Sequence, residues 1–173
     1  QQVLYDYSVE EIIEMGWVDE RRIKEDDVIK QKCNNAAKEC HVDHLLQRNF
    51  NTLSGGEQRR VHFARTLLQI DHQYDDIRAR YMFLDEPTAN LDLSYELQLI
   101  RLLRKKSING IGVLLIIHDL NLASKFSDKI AILKRGSLFN FGTPSEVFQS
   151  KILSDVFGLA MEVDPKTLRV NYY

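Results

Sequence analysis

The stretch Leu53-Ser54-Gly55-Gly56-Glu57-Gln58-Arg59-Arg60 leads into a segment where apolar residues recur at helical spacing. That spacing predicts a helix from Glu57 to Ile70, so Ser54-Gly55-Gly56 lies at a helix N-terminus. Two glycines let the backbone come close to an anion, and the helix adds free N–H groups and its positive dipole end. Ser54 adds a hydroxyl donor. The sequence therefore predicts a phosphate-binding turn.

A second stretch, Tyr81-Met82-Phe83-Leu84-Asp85-Glu86-Pro87-Thr88, begins with an apolar run that is too short for a helix. Such a run, bounded by polar residues, is typical of a buried parallel strand, and Gly112 to Ile117 predicts another that ends at His118. The carboxyl ends of parallel strands lie along one sheet edge, where ligands bind in open α/β folds. Asp85, Glu86 and His118 are therefore predicted at that edge.

The two adjacent carboxylates have different predicted roles. Asp85 suits Mg²⁺, usually through water, and Glu86 projects elsewhere from the strand end and can take a proton from an attacking water. Phosphoryl transfer depends mainly on positioning and charge stabilisation. A metal carboxylate, a water-orienting carboxylate and a γ-phosphate partner therefore form a sufficient reaction centre.

The two motifs resemble the signature motif and the Walker B strand of ATP-binding-cassette (ABC) ATPases, and the resemblance covers essentially the whole chain. It implies an α/β fold of the P-loop NTPase type, a partial ABC nucleotide-binding domain with a parallel sheet, flanking helices, a helical signature subdomain and a C-terminal hairpin. In that arrangement residues from about 3 to 68 form the signature subdomain. Residues from about 69 to 173 hold Walker B, the D-loop, the H-loop and the C-terminal part of the RecA-like core.

The resemblance also implies roles for single residues. His118 is similar to the switch histidine, which hydrogen-bonds the γ-phosphate, although a lone histidine at a strand end is more often structural. Ala89-Asn90-Leu91-Asp92 is similar to the D-loop of the dimer interface, and Asp92 also suits a helix cap. Gln1 or Gln2 is similar to the Q-loop glutamine. The implied sites are catalytic Glu86 and His118; ATP-binding Ser54, Gly55, Gly56, Glu57, Asp92 and Gln2; and Mg²⁺-binding Asp85 and Gln2.

Position 57 is Glu where many family members have Gln, which is a common departure. A larger departure is that no GxxxxGK[ST] loop occurs in the chain, so the amides and the lysine that hold the β- and γ-phosphates are missing from it. We therefore expect the chain to be the C-terminal two-thirds of a nucleotide-binding domain with an incompletely covered core. We also expect that it neither binds ATP tightly nor hydrolyses it.

Within ABC ATPases, the segment from His118 to Ala123 and the later Gly142-Thr143-Pro144 most resemble importer subunits for iron-siderophore, vitamin B12 and haem permeases. The polar insertion between Leu68 and Arg80 is most like that of the haem (hemin) importers, and Val9 to Gly16 is similar to their coupling helix region. The resemblance implies a homodimer joined through its ATP sites, peripheral on the cytoplasmic face of the inner membrane. Its implied partners are transmembrane permease subunits and, indirectly, a periplasmic binding protein.

Three alternatives stay open beside hemin import. An iron-siderophore or vitamin B12 importer would carry the same motifs, and a non-catalytic ABC-derived fragment could persist as an interaction module. Chromosome-structure ATPases share the signature and Walker B motifs, but they insert long heptad arms that this sequence lacks. A P-loop in the sequence upstream of Gln1 would indicate a clipped enzyme, and its absence there would indicate an interaction module.

Composition sets further bounds. The chain has 173 residues, 44% of them hydrophobic, which is enough for one core, and its net charge of −2 gives no general attraction for nucleic acid. Cys33 and Cys40 have no metal or disulfide-framework spacing, so we expect free thiols in a reducing compartment. Cys40, His41 and His44 also lack a convincing metal-ligand pattern. No apolar run approaches the ~20 residues of a membrane-spanning helix.

The remaining elements follow from local signals. Ser8-x-x-Glu11 and Thr143-x-x-Glu146 are capping boxes, the first before a helix from Val9 to Met15. A modest apolar face predicts helix within Asp19 to Cys40, and Asp92 precedes a helix to about Lys106 with Leu93, Leu97, Ile100 and Leu103 on one side. Further predictions are a helical turn at Asp43 to Gln47, a helix from Asn121 to Phe126, a hairpin of Lys129 to Leu133 and Ser137 to Phe141, and a strand pair within Met161 to Tyr173.

Overall fold

The computed structural model describes residues 6–17, 26–70, 79–88 and 91–172. Two compact units divide the chain, one ending at Leu114 and the other spanning Leu115–Tyr173. The first unit holds α1 (Val9–Glu14), α2 (Asp26–Glu39), α3 (Gly55–Ile70), β1 (Arg80–Asp85), α4 (Leu93–Ile108) and the start of β2 (Ile111–Ile116), with 3-10 turns at Asp43–Leu45 and Phe50–Thr52. The second holds α5 (Leu120–Phe126), β3 (Ile130–Lys134), β4 (Ser137–Gly142), α6 (Pro144–Val147), α7 (Ser150–Phe157), β5 (Met161–Val163) and β6 (Val170–Tyr172).

Helices α1 and α2 pack against α3. A capping box begins α1, because the Ser8 backbone N–H donates to Glu11 Oε2 at 2.7 Å and the Glu11 N–H donates to Ser8 Oγ at 3.2 Å. Gly16, just after α1, lies so close to α3 that an added Cβ would be 2.2 Å from the Arg65 carbonyl oxygen. The buried side chains of this three-helix layer are Val9, Ile13, Ile29, Cys33, Ala36, Ala37, Val61, Ala64, Leu67 and Leu68.

Strands β1 and β2 are neighbours in a two-stranded sheet, as expected for the two strands that lead to Asp85-Glu86 and to His118. Gly112 in β2 permits this packing, since a Cβ there would lie 2.5 Å from the Tyr81 ring. The prediction that both strands are buried is wrong. Met82 is buried, but Tyr81 and Phe83 are 65% and 71% exposed and Leu114 is 57% exposed. Alternating side chains lie on opposite faces of a strand, so one face of this sheet is uncovered.

Helix α4 buries Ile100 and Leu103 of its predicted apolar side, together with Leu99, which was not predicted, and leaves Leu97 half-buried. Leu93 is the exception and is 69% exposed, because it occupies the first helical position directly after the Asp92 cap. At the other end of the helix, Lys106 Nζ donates to Glu39 Oε2 at 2.8 Å and joins α4 to the end of α2.

The second unit confirms the predicted hairpin and the predicted terminal strand pair. Strands β3 and β4 pair antiparallel with a register shift between Ile132 and Leu133, and β5 pairs antiparallel with β6. Helix α6 begins with the predicted Thr143-Glu146 capping box and with Pro144 in its first turn. The core of this unit consists of Val147, Phe148, Leu153, Met161 and Val170.

Several predicted features lie outside the described residues. These are Gln1 and Gln2, the polar connection at 71–78, Ala89 and Asn90 of the D-loop, and the first part of the Asp19 to Cys40 helix. The subdomain boundary near residue 68 stays a prediction. Cys33 and Cys40 are free, as expected, and the structure shows that both are buried. No helix within the described ranges is long and apolar enough to cross a bilayer.

Candidate active site

The turn predicted to bind phosphate begins α3, a helix of 16 residues. A Cβ added to Gly55 or to Gly56 would meet no atom within 4 Å, so the space beside both α-carbons is open. The first turn of a helix has N–H groups without intrahelical partners. The geometry therefore leaves room for an anion against the backbone of Ser54-Gly55-Gly56.

Glu57 holds the polar groups of Ser54 in this structure. The Ser54 hydroxyl donates to Glu57 Oε2 at 2.7 Å, and the Ser54 backbone N–H donates to the same oxygen at 2.8 Å. These two hydrogen bonds lower the pKa of Glu57 below its ordinary value, chiefly through the Ser54 hydroxyl. A phosphate that takes a hydrogen bond from the Ser54 hydroxyl must therefore displace this carboxylate oxygen.

This contact between Ser54 and Glu57 was not predicted, although the sequence contains its signal. Ser54-Gly55-Gly56-Glu57 is an S-x-x-E string, the same capping-box pattern that predicts the starts of α1 and α6. Glu57 was assigned only as a ligand contact. In the structure, the Glu57 carboxylate also holds the turn by accepting hydrogen bonds from the backbone N–H and the hydroxyl of Ser54.

Asp85 and Glu86 lie at the end of β1, and both side chains are exposed. Glu86 has a backbone φ of 44°, in the left-handed region that a residue with a Cβ seldom adopts. Residues held in sparsely populated backbone conformations cluster at functional sites. The strand thus ends with Asp85 in extended backbone and turns sharply at Glu86.

The Asp85 side chain is a carboxylate, which is a suitable class of ligand for a magnesium ion. Mg²⁺ commonly takes one or two protein carboxylates and completes its shell with waters and substrate phosphates. An exposed carboxylate at a strand end is compatible with this pattern. Within the described parts of the chain, no group of three or more His, Cys, Asp or Glu side chains could hold a metal ion by itself.

His118 is exposed and lies two residues after β2, in the second compact unit. The next residue, Asp119, caps α5 by accepting a hydrogen bond from the Leu122 N–H at 2.9 Å. The backbone at His118 is therefore set between the end of a strand and a capped helix. A fixed position of this kind suits a side chain that must point at a ligand.

Asp92 caps α4, accepting hydrogen bonds from the N–H groups of Ser94 at 3.0 Å and Tyr95 at 3.1 Å. The predicted capping role is therefore confirmed, while contact with ATP stays a prediction. A second contact at Tyr95 was not predicted: the centroid of its ring lies 3.9 Å from Cζ of Arg60 in α3. This cation–π contact joins the helix after the signature turn to the helix after the D-loop.

A sequence model of one protein family, described as ABC transporter, matches residues 1–89 of the 173 in the chain. The chain belongs to this family. Among curated family members, it is 37% identical over 163 residues to the hemin import ATP-binding protein HmuV of Rhodopseudomonas palustris strain CGA009. That match covers 94% of this chain and 59% of the relative. The HmuV protein of Aliivibrio fischeri strain ES114 is 34% identical, over 88% of this chain and 56% of its own length.

Family membership agrees with the fold. A solved structure of a candidate metal-chelate type ABC transporter in an inward-facing conformation aligns with a TM-score of 0.75 and 23% identity. The alignment covers all of this chain and 68% of the chain in that solved structure. At that identity the likeness concerns the fold alone, and it confirms the predicted α/β ABC nucleotide-binding architecture. The chain spans 59% or less of the length of the curated relatives described above.

Proposed function

We propose that the protein to which this chain belongs is the ATP-hydrolysing subunit of an importer and that it powers uptake of hemin. The observation that carries the proposal is the open signature turn, Ser54-Gly55-Gly56, at the start of α3. An anion site built from helix N–H groups and small residues suits a phosphate chain. The names of the curated HmuV relatives support the choice of hemin.

In the proposed reaction, the carboxylate of Glu86 takes a proton from the water that attacks the γ-phosphate. The exposed position of Glu86 at the end of β1 supports this assignment, and so does its strained backbone. His118 donates a hydrogen bond to the γ-phosphate and limits the direction from which water approaches. Asp85 would hold Mg²⁺, which when bound neutralises charge on the phosphates.

The proposed assembly is a homodimer in which the signature turn of one protomer faces the ATP held by its partner. Gly55 and Gly56 would bring their N–H groups to the phosphate, and Ser54 would exchange its bond to Glu57 for one to a phosphate oxygen. Asp92 and Gln2 would also contact the nucleotide, and Gln2 would lie beside the Mg²⁺ ion as well. Closure of the dimer on ATP would act on transmembrane permease subunits.

The proposed location is the cytoplasmic face of the inner membrane, with a periplasmic binding protein as an indirect partner. Hemin would then reach the permease from that binding protein.

The decisive measurement uses the complete subunit assembled with its permease. ATPase activity should rise on addition of hemin with its binding protein and should not respond to ferric siderophores or vitamin B12. Stimulation by a siderophore instead would contradict the substrate and leave the ATPase proposal intact.

The role of Glu86 has a separate test in the complete subunit. Glu86→Gln keeps the size of the side chain and removes the base, so ATP turnover should fall at least about a hundredfold. ATP-driven dimerisation should persist, as measured by size-exclusion chromatography with light scattering. The control is Glu162→Gln, at an exposed position of β5, which should leave turnover unchanged. Unchanged turnover in the Glu86 variant would remove this residue as the base.

A further inference from the structure

The strand pair at the end of the second unit takes hydrogen bonds from helix side chains along its outer edges. Among the described residues, β5 and β6 pair only with each other. On the β5 edge, the Met161 N–H donates to the Ser154 hydroxyl of α7 at 3.0 Å. The Val163 N–H donates to the Ser150 hydroxyl of the same helix, also at 3.0 Å. The helix α7 therefore occupies the place of a third strand beside β5.

The backbone of Val170 in β6 also points away from the strand pair. Val170 lies opposite Val163 in the antiparallel ladder, and Val163 turns its N–H outward to α7. In an antiparallel ladder, opposite residues either exchange both of their hydrogen bonds or both point outward. Val170 therefore needs partners on the outer edge of β6.

Asn121 of α5 supplies both partners. The Val170 N–H donates to Asn121 Oδ1 at 2.8 Å, and Asn121 Nδ2 donates to the Val170 carbonyl oxygen at 3.4 Å. These are the two bonds that a neighbouring strand would make with the same residue. Val170 is only 3% exposed, so its N–H and C=O groups depend on this side chain rather than on water. The contact joins positions that are 49 residues apart in the sequence.

Asn121 lies in the first turn of α5, three residues after His118. Leu120 and Ala123 of the same helix pack against the core cluster that contains Val170. Apolar packing has no preferred direction, whereas hydrogen bonds weaken steeply when they are misaligned. The two bonds of Asn121 therefore fix how α5 is rotated and where it lies along β6.

We propose that Asn121 is a positioning residue for His118, and that the terminal strand pair thereby sets the direction in which His118 meets the γ-phosphate. The inference rests on the proposed function, in which His118 donates a hydrogen bond to that phosphate. Between the two residues lie only the cap of α5 and its first helical residue, so a rotation of α5 moves His118 as well. Strands β5 and β6 then influence hydrolysis without contacting ATP.

The first test measures single-turnover hydrolysis at saturating ATP by the complete subunit assembled with its permease. Asn121→Ala removes both bonds to Val170, so the rate should fall at least about tenfold, because a displacement of about 1 Å in a reacting group can cost about a hundredfold. Asn121→Asp keeps an oxygen for the Val170 N–H and should retain more of the rate. Asn171→Ala, the same exchange at an exposed position of β6, is the control and should leave the rate unchanged.

A double-mutant cycle then separates positioning of His118 from a general loss of structure. In a His118→Ala background, the further substitution Asn121→Ala should lower the residual rate by less than about twofold, because the group that Asn121 positions is already absent. An equal loss in both backgrounds would show that Asn121 acts on the fold rather than through His118, and would overturn the proposal. If Asn121→Ala does not fold, Asn121→Asp takes its place, and its smaller loss should likewise disappear in the His118→Ala background.

The proposal and the proposed function fail in different ways. Unchanged hydrolysis in the single variant His118→Ala would contradict the role of His118 in the proposed function, and the positioning role of Asn121 would fall with it. A slow His118→Ala variant beside a normal Asn121→Ala variant would contradict the positioning role alone. Melting temperatures of all variants identify any loss of rate that comes from unfolded protein.

Discussion

At the scale of single residues, Glu86 combines an exposed carboxylate with left-handed backbone. A side chain with a Cβ is disfavoured in that conformation by about 1–2 kcal/mol, whereas glycine adopts it freely. Glycine also loses more backbone entropy on folding, which offsets part of the gain. The strain at Glu86 is therefore expected to be retained for its position at the end of β1 rather than for stability.

A glycine substitution measures this strain. Glu86→Gly should leave the free energy of unfolding unchanged or raise it by up to about 1 kcal/mol, because relief of the strain opposes the entropy cost. Arg101→Gly, at an exposed position inside α4, should instead lower it by about 1 kcal/mol. Urea unfolding followed by circular dichroism gives both values. Equal destabilisation by the two variants would mean that Glu86 is unstrained.

The sequence was most informative where chemistry depends on residue type in a local string. Ser54-Gly55-Gly56 and Asp85-Glu86 were predicted at a helix start and a strand end, and the structure places them there. The backbone strain at Glu86 was not predictable, because nothing in the residue itself favours positive φ. The Arg60–Tyr95 contact was also missed, since it joins two helices that are far apart in sequence.

At the scale of elements, three helices begin with the same device. Glu11, Glu57 and Glu146 each accept hydrogen bonds from the hydroxyl and the backbone N–H of the residue three positions earlier, and each has its pKa lowered from 4.5 by those bonds. A carboxyl whose pKa is lower in the folded state stabilises the fold above its unfolded pKa. That contribution is lost as the pH falls below about 4.5 and through the folded values.

The pH dependence can be assigned to these boxes with one variant. The triple substitution Glu11→Gln, Glu57→Gln and Glu146→Gln keeps an acceptor at each cap but removes the titrating group. Melting temperatures between pH 7 and pH 3 should fall less steeply for this variant than for the unchanged chain. Substitution of Glu96 and Glu162 by Gln is the control, because neither carboxylate belongs to a capping box, and it should leave the slope unchanged. Parallel curves for all three proteins would exclude the boxes as the cause.

The contact of α1 with α3 depends on Gly16. A Cβ at this position would lie 2.2 Å from the Arg65 carbonyl oxygen, so both backbones would have to separate. Gly16→Ala should lower the free energy of unfolding by about 1–3 kcal/mol, the usual cost of overpacking. Gly56→Ala is the matched control, because a Cβ there meets no atom within 4 Å and alanine favours the helix. Chemical denaturation measures both, and equal stability of the two variants would contradict the close packing.

Element positions were predicted within a few residues because caps and apolar spacing are local signals. Burial was predicted less well. Leu93 and the strand residues Tyr81 and Phe83 were expected inside, but they are exposed. An apolar residue in a helix or strand indicates which face could be covered, and the covering layer depends on other parts of a protein.

At the scale of the molecule, the open face of the β1–β2 sheet is an exposed apolar surface among the described residues of the first unit. Tyr81, Phe83 and Leu114 each leave more than half of the side chain accessible. Contiguous apolar surface of this kind favours association between copies of a chain. The 173-residue chain by itself is therefore expected to self-associate as its concentration rises.

Analytical ultracentrifugation over a range of concentrations tests this expectation. The double substitution Tyr81→Lys and Phe83→Lys should shift the chain toward monomer, because charge on an open strand opposes association. Val28→Lys, at an exposed apolar position of α2, is the control and should leave the distribution unchanged. A concentration-independent monomer without any substitution would contradict the expectation.

The two cysteines have a practical consequence for following motion in this protein. Burial raises the pKa of both Cys33 and Cys40 to about 12, and both are almost fully enclosed. Thiolate is the reactive form, so neither sulfur is expected to take up a maleimide dye at neutral pH while the chain is folded. A single cysteine introduced on the surface could therefore carry a fluorescent label without prior removal of the native pair.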